Sequence, residues 1–257
     1  MVMLDILARK NDAQDLLVAH FNHGTRPSAT ADEAFVEKRC KNYNIKFIAG
    51  HGYLGEGVSE DTARHARYDF LYSLAKDGAK IYTAHHLDDL CETVAINLLR
   101  GTGWRGLAAL NNPQIERPLL SWPKTKILEY AATHQIVFRE DPTNSSDNYL
   151  RNRLRPAIRS LPLETKQKIY QLQQSQIALA AEIQSLSTPT TSRVTYQTLP
   201  DDVAMEILRH TLAENHLSLT HPQLADFLSA IRTYKPGKYF NLPGDKLVKI
   251  TKTDFLI

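Results

Sequence analysis

Short apolar runs alternate with longer amphipathic segments through the first 100 residues of the chain. Runs rich in β-branched and aromatic residues predict strands at residues 16–21, 46–49 and 80–84. Apolar side chains at helical spacing predict helices at residues 31–43, 60–75 and 88–100. Strands that alternate with helices of this length are typical of a parallel sheet with helices on both faces. The predicted fold class is therefore α/β.

The second half of the chain has a different pattern. One long, polar-rich helix is predicted at residues 164–187, and the Ser/Thr/Pro-rich stretch that follows it predicts a linker. Two further helices are predicted at residues 203–214 and 222–232, and short strands follow them. We therefore divide the chain into a first domain at residues 1–162, a connecting helix and linker at 163–192 and a small α+β domain at 193–257.

Composition narrows the class of protein without naming a function. The chain has 257 residues, of which 42% are hydrophobic and 23% charged, and these values exclude collagenous, low-complexity and largely disordered proteins. Its net charge of +3 is too small to indicate a nucleic-acid binder by itself. Cys40 and Cys91 stand alone, which predicts a reducing compartment and no structural zinc or iron–sulfur site. With no signal peptide and no apolar stretch near the roughly 20 residues of a membrane span, a cytoplasmic protein is expected.

Polar residues gather where the first predicted strand ends. The string AHFNHGTR places His20, Asn22, His23 and Arg26 at or just beyond that end. In open α/β sheets, ligands bind outside the carboxyl ends of the strands. A solvated loop is the alternative, and no third ligand accompanies the two histidines, so no metal site is predicted.

An acidic cluster follows the third predicted strand in the string TAHHLDDLCET. His86 ends the strand, and Asp88 and Asp89 open the next helix, where a carboxylate can cap free N–H groups. Capping explains one aspartate, but it does not explain Asp89 and Glu92, which lie on the same helix face as Asp88. Like charges placed together repel unless a cation, an ammonium group or Mg²⁺ lies between them. The cluster therefore predicts a binding site for a cation.

Arginines are concentrated in three further strings. GTGWRG, at residues 101–106, matches GxGxxG but follows a helix instead of a strand, so we exclude a dinucleotide site and predict a tight loop with Arg100 and Arg105 available for anions. EDTARHARY places Arg64 and Arg67 on one helix, for which a solvated face is the alternative. DPTNSSDNYLRNRLR brings together several asparagines and arginines in a turn followed by a helix, among them Arg151, Asn152 and Arg155.

The end of the chain is basic. Residues 232–252 carry six Lys or Arg against one acid, interleaved with Tyr234, Tyr239 and Phe240. Basic residues with aromatics favour binding to a phosphate backbone and to stacked single-stranded bases, although a solvated surface would show the same composition.

Taken together, these strings resemble the tRNA(Ile)-lysidine synthetase family, a branch of the PP-loop ATPases. The matching strings lie in the family's order within about residues 16–160: HFNHGTR, EDTARHARYDFL, TAHHLDDLCET, RGTGWRGL, ERPLL and DPTNSSDNYLRNRLR. The resemblance implies a PP-loop catalytic domain at residues 1–162 and a small tRNA-binding domain at 193–257. It also implies ATP and Mg²⁺ as cofactors, and L-lysine and a tRNA(Ile) with a CAU anticodon as partners. The oligomeric state stays open, and a homo-oligomer is compatible with the sequence.

The family's reaction assigns roles to the matching residues. ATP adenylates the C2 oxygen of the wobble cytidine, and the amine of free lysine then displaces AMP. The resemblance implies that Arg64 and Arg155 stabilise the charged states and that Asp89 and Glu92 hold the lysine ammonium. It implies contacts with the nucleotide or the tRNA for a larger set of residues: His20, Asn22, His23, Arg26, His86, Asp88, Arg67, Arg100, Arg151 and Asn152.

The chain departs from the family at its start. The family's SGGxDS loop directly precedes a helix resembling MVMLDIL, whereas here Met1 stands where that loop should just have ended. We therefore expect an N-terminally truncated form of a working enzyme, and we expect the chain as written to be catalytically poor.

Two alternative functions stay open. One is a PP-loop tRNA thiolase, whose usual paired cysteines are missing here, and the other is a non-catalytic tRNA-binding protein.

Overall fold

The computed structural model describes residues 1–24, 29–52, 60–76, 78–139 and 150–257. Hydrogen bonds group the strands of this part of the chain into two parallel pairs and one antiparallel sheet. The strands are β1 (Leu17–Asn22), β2 (Lys46–His51), β3 (Ile81–Tyr82), β4 (Ile115–Glu116), β5 (Tyr239–Leu242), β6 (Lys246–Ile250) and β7 (Phe255–Leu256).

Helices connect and cover the strands. Two short 3₁₀ helices, at Ala13–Asp15 and Trp104–Leu107, accompany the α-helices. The α-helices are α1 (Val2–Lys10), α2 (Ala29–Asn42), α3 (Glu60–Leu74), α4 (Leu87–Leu99), α5 (Lys124–Thr133), α6 (Leu150–Ser160), α7 (Leu163–Leu186), α8 (Arg193–Thr198), α9 (Asp201–Glu214) and α10 (His221–Thr233).

The chain separates into two compact units. The first comprises Met1–Ile96 with Ala109–Gln171, and the second comprises Asn97–Ala108 with Leu172–Ile257. Both α4 and α7 therefore contribute residues to each unit.

In the first unit, β1 and β2 run parallel, with Leu17 opposite Lys46 and Asn22 opposite His51. Helix α3 packs directly on this pair. A Cβ atom at Gly50 would lie 2.7 Å from the ring of Phe70, so glycine is required for this close approach. The parallel register brings the carboxyl ends of both strands to one edge of the sheet.

The second parallel pair places the acidic cluster. Ile81 of β3 lies opposite Ile115 of β4, and both are buried against Tyr68 of α3. Helix α4 begins five residues after β3 ends, at Leu87, whose backbone N–H donates to the carbonyl of Trp122. The first turn of α4 is thereby held at the carboxyl end of β3.

Helices α1 and α5 pack through Val2, Ile127 and neighbouring apolar side chains. Beside them lies the buried carboxylate of Asp5, which accepts hydrogen bonds from Arg9, Tyr43 and Tyr130. Burial alone would raise the pKa of Asp5, but these donors outweigh it and hold the pKa below its ordinary value.

The second unit has its own core, which α8–α10 and the antiparallel sheet share. Fully buried aromatic side chains, Tyr196, Phe227 and Phe255, lie at its centre. The buried guanidinium of Arg193 donates to four backbone carbonyls of this unit, those of Ile231, Arg232, Tyr234 and Thr251. Three of these carbonyls belong to the C-terminal end of α10, where a cation is favourable.

The predicted α/β class is confirmed, and the predicted helices and strands of the first 100 residues agree with the structure within two residues at most ends. Three elements, β4, α5 and α8, were not predicted from the sequence. Elements as short as β4 and α8 give little periodic signal, whereas α5 does carry apolar residues at helical spacing. Within the described residues, no helix is both long and apolar enough to cross a membrane.

Candidate active site

A cavity of about 600 Å³ in the first unit contains the acidic cluster. The first turn of α4, the start of α5, the end of α6 and the start of α7 form its walls. Its polar lining consists of His86, Asp88, Asp89, Glu92, Lys124, Thr125, Arg155, Arg159 and Lys166.

Asp89 has one carboxylate oxygen committed to the start of α4. Its Oδ2 accepts the backbone N–H of His86 at 2.9 Å, so the capping role falls to Asp89 and not to Asp88, the aspartate for which it was expected from the sequence. The Nδ1 atom of His86 lies 3.5 Å from the same oxygen and 3.7 Å from Oδ2 of Asp88. The side chain of Asp89 keeps about a quarter of its surface exposed, which leaves it accessible to a ligand.

Asp88 is buried and has both oxygens occupied. Its Oδ1 accepts a hydrogen bond from Nζ of Lys166 at 2.5 Å, and its Oδ2 accepts the backbone N–H of Lys124 at 3.1 Å. Burial would raise the pKa of Asp88, but these two donors outweigh it and hold the pKa below its ordinary value. Asp88 is therefore ionised at neutral pH.

Glu92 is buried beside two arginines of α6. Its Oε1 accepts a hydrogen bond from Nε of Arg155 at 3.0 Å, and its Oε2 lies 3.6 Å from Nε of Arg151. Among the described residues, Oε2 has no hydrogen-bond partner although it is buried. A buried carboxylate oxygen without a donor is costly, so this atom is a natural contact for a ligand that brings one.

The cations that the sequence analysis required are thus partly supplied by the protein itself. Lys166 pairs with Asp88 and Arg155 pairs with Glu92, so an external cation is not needed to keep these two carboxylates together. Asp89 keeps a partly exposed side chain, and the second oxygen of Glu92 has the charge of Arg151 nearby but no hydrogen-bond donor. Lys166 and Lys124 were not among the predicted site residues, because nothing in the local sequence pairs them with α4.

His85 and a group of arginines lie at the carboxyl end of β3. Burial, followed by the charges of Arg117 and Arg64, lowers the pKa of His85 to about 4, against the opposing effect of Asp89. His85 is therefore neutral at pH 7, with its Nδ1 2.9 Å from Oγ1 of Thr83. Arg117, in the string ERPLL, was not predicted as a site residue, although its half-buried guanidinium acts on the pKa of His85.

Arg64 and Arg67 contact Tyr68 instead of standing free in solvent. The guanidinium carbons lie 4.8 Å and 5.5 Å from the centre of its ring, as expected for cation–π contacts. Burial and then the charge of Arg67 lower the pKa of His23, which lies just beyond β1. The structure thereby brings α3, the end of β1 and the end of β3 to one region.

At the end of β1, Asn22 has a structural role. Its amide donates to Glu33 at 3.0 Å, and its carbonyl oxygen accepts the backbone N–H of Gly24 at 3.0 Å. His20 lies within β1, and burial lowers its pKa while Glu33 opposes that effect. Arg26 lies outside the described residues.

Of the predicted arginines, Arg100 belongs to the second unit. There the string GTGWRG forms the expected tight loop, in which a Cβ atom at Gly106 would clash with Oγ1 of Thr102. The expectation that Arg105 is available for anions was wrong, because its guanidinium pairs with Glu206. Asn152 lies on α6, between Arg151 and Arg155 of the cluster.

The residues of the site do not form a set of metal ligands. In the part of the chain that the structure describes, no group of three or more His, Cys, Asp and Glu side chains is placed to hold a metal ion. The lining is instead a mixture of carboxylates and cations, which can form charge-assisted hydrogen bonds with groups of either charge.

Comparison with known proteins identifies the family to which the first part of the chain belongs. Residues 1–161 match the family described as PP-loop domain. Among curated proteins, the tRNA(Ile)-lysidine synthase of Legionella pneumophila (strain Paris) is 36% identical over 171 residues, covering 63% of this chain and 40% of that protein. The tRNA(Ile)-lysidine synthase of Thermotoga maritima is 34% identical over 171 residues, covering 61% of this chain and 41% of that protein.

A solved structure supports the fold. The U34-tRNA thiolase of Methanococcus maripaludis, determined with its [4Fe-4S] cluster, superposes with a TM-score of 0.55 at 20% identity, covering 69% of this chain and 66% of that one. At this identity the likeness concerns the fold alone. The alignments with the curated relatives cover only about 40% of the length of those proteins.

Proposed function

Because the chain belongs to the PP-loop domain family, we propose that it takes part in forming lysidine at the wobble cytidine of a tRNA(Ile) with a CAU anticodon. In this reaction the C2 oxygen of the cytidine attacks the α-phosphorus of ATP, and pyrophosphate leaves. The amine of L-lysine then bonds to C2, the C2–oxygen bond breaks, and AMP and a proton are released. The names of the curated relatives support this choice of reaction.

One observation carries the proposal: Oε2 of Glu92 is buried without a hydrogen-bond partner, in a cavity that Asp89 also lines. An ammonium group supplies three donors and a positive charge, which match an ionised oxygen of Glu92 and the accessible oxygen of Asp89. Asp89 and Glu92 are therefore the proposed contacts of the lysine substrate.

The proposed roles of the cations follow from where negative charge develops. Arg155, which lines the cavity beside Glu92, and Arg64, at the end of β3, would stabilise the phosphoryl oxygens and the adenylated cytidine. The further contacts proposed for the nucleotide or the tRNA are His20, Asn22, His23, Arg26, His86, Asp88, Arg67, Arg100, Arg151 and Asn152.

ATP is the proposed nucleotide, and we expect Mg²⁺ to reach the site bound to its phosphates. The described residues offer no set of metal ligands, so we assign no step to the ion. The basic segment at residues 232–252 is the proposed contact for the phosphate backbone of the tRNA.

The cysteines favour this reaction over a sulfur transfer. Cys40 and Cys91 are both free and buried. Burial, reinforced by the charge of Asp88, raises the pKa of Cys91 to about 11, so its reactive thiolate is scarce at neutral pH. Burial also raises the pKa of Cys40. Neither thiol is in the state that a thiolase nucleophile requires.

The test is incorporation of radiolabelled L-lysine into a tRNA(Ile) transcript with a CAU anticodon, with and without ATP. Because the chain as written is expected to be catalytically poor, we expect slow but ATP-dependent incorporation that disappears when the wobble cytidine is replaced by uridine. The variant Glu92→Gln should lower this incorporation. Its matched control is Glu116→Gln, which should not, since Glu116 pairs with Lys80 at the protein surface. Salt-dependent tRNA binding without any incorporation would contradict the proposal and favour a non-catalytic tRNA-binding protein.

A further inference from the structure

Lys166, a residue of the protein itself, lines the cavity with its own ammonium group. Lys166 lies in the first turn of α7 and is buried, with only 7% of its surface exposed. Its Nζ donates to Oδ1 of Asp88 at 2.5 Å and lies 3.4 Å from the carbonyl oxygen of Arg159, at the end of α6. A buried lysine is rare unless its ammonium is paired, and here the pairing is with an ionised aspartate.

The carboxylates of the cavity differ in what they leave for a ligand. Asp88 accepts donors on both oxygens, whereas Asp89 has one oxygen bound to a backbone N–H and Glu92 has one oxygen without a donor. Without Lys166, the buried Asp88 would hold an uncompensated negative charge next to the other two carboxylates. Such a group would attract any ammonium that enters the cavity.

We propose that Lys166 is a positioning residue that occupies Asp88, so that the ammonium of the substrate is directed to Asp89 and Glu92. This inference rests on the proposed function, because it assumes that lysine binds in this cavity. Its physical basis is competition between two ammonium groups for neighbouring carboxylates, with the protein's own group tethered and already desolvated. The carboxylates that then remain for the ammonium of an incoming lysine are Asp89 and Glu92.

The test removes the tethered ammonium and supplies a free one. In Lys166→Ala, ethylammonium should bind beside Asp88 and raise the melting temperature, and it should not do so in the native protein or in Asp88→Asn/Lys166→Ala. Lysine incorporation into tRNA should fall at least tenfold in Lys166→Ala, through kcat and without a rise in the KM for lysine. Millimolar ethylammonium should restore part of this loss.

Lys168→Ala is the matched control, because Lys168 lies on the same helix and pairs with Glu164 in solvent. It should respond to ethylammonium as the native protein does. The inference is overturned if Lys166→Ala behaves like Lys168→Ala, if ethylammonium neither stabilises nor reactivates it, or if the loss appears only as a raised KM. If the native protein incorporates no lysine, the proposed function fails, whereas the melting-temperature measurement still decides whether Lys166 closes an ammonium site at Asp88.

Discussion

The substitution Glu92→Gln tests the centre of the site, because it keeps the shape of the side chain and removes its charge. Glu92 is 2% exposed, while the side chains of its partners Arg155 and Arg151 are 16% and 27% exposed. Removing one partner of a fully buried ion pair costs about 3–5 kcal/mol. Because both arginines keep some contact with water, we expect the free energy of unfolding to fall by about 2 kcal/mol.

The same substitution should also weaken the binding of lysine. A hydrogen bond to a charged group contributes about 1.5–3 kcal/mol. Losing the charge of Oε2 should therefore weaken lysine binding roughly 10- to 100-fold. Calorimetric titration with L-lysine measures this effect, and thermal unfolding of the same samples measures the change in stability.

The control for Glu92→Gln is Glu116→Gln, which breaks a pair whose two side chains are 46% and 64% exposed. A pair of this kind contributes about 0–1 kcal/mol, and we expect neither lysine affinity nor stability to change measurably. If Glu92→Gln retained native lysine affinity while remaining folded, the buried oxygen would not be the ammonium contact, and the reasoning from its missing donor would be refuted.

Further predictions concern residues outside the ammonium site. Arg193→Met should destabilise the second unit by about 3 kcal/mol in urea unfolding, since it strips four carbonyls of their donor; a change below about 0.5 kcal/mol would contradict this. Asp5→Asn should be less stable than the native protein at pH 7. Because folding lowers the pKa of Asp5, that difference should begin to shrink as the pH falls below the unfolded-state value near 4 and should vanish as it falls through the lower folded-state pKa; unchanged stability at pH 7 would contradict this. Iodoacetamide should modify Cys91 far more slowly in the native than in the unfolded protein at pH 7.5, as peptide mass mapping would show.

Local sequence patterns were sufficient to predict the fold class and some of the residues of the candidate site. The helix over α4 follows from apolar side chains at helical spacing, and this spacing also places Asp89 and Glu92 one turn apart on the same helix. The carboxyl end of β3 could also be predicted, because there a short apolar run is followed directly by polar residues. Residue type and spacing are short-range information, and they are sufficient wherever the chemistry lies within one element.

The partners of these residues came only from the tertiary structure. Lys166 lies 78 positions from Asp88, and Arg155 lies 63 positions from Glu92. From the sequence, the acidic cluster needed an external cation, because the electrostatics of a charged group depend on which distant charges packing brings near it. The same packing gives both oxygens of Asp88 a hydrogen-bond donor, while one oxygen of Glu92 has none. The sequence by itself therefore determined the elements and the candidate groups, and the tertiary structure decided which of those groups are available to a ligand.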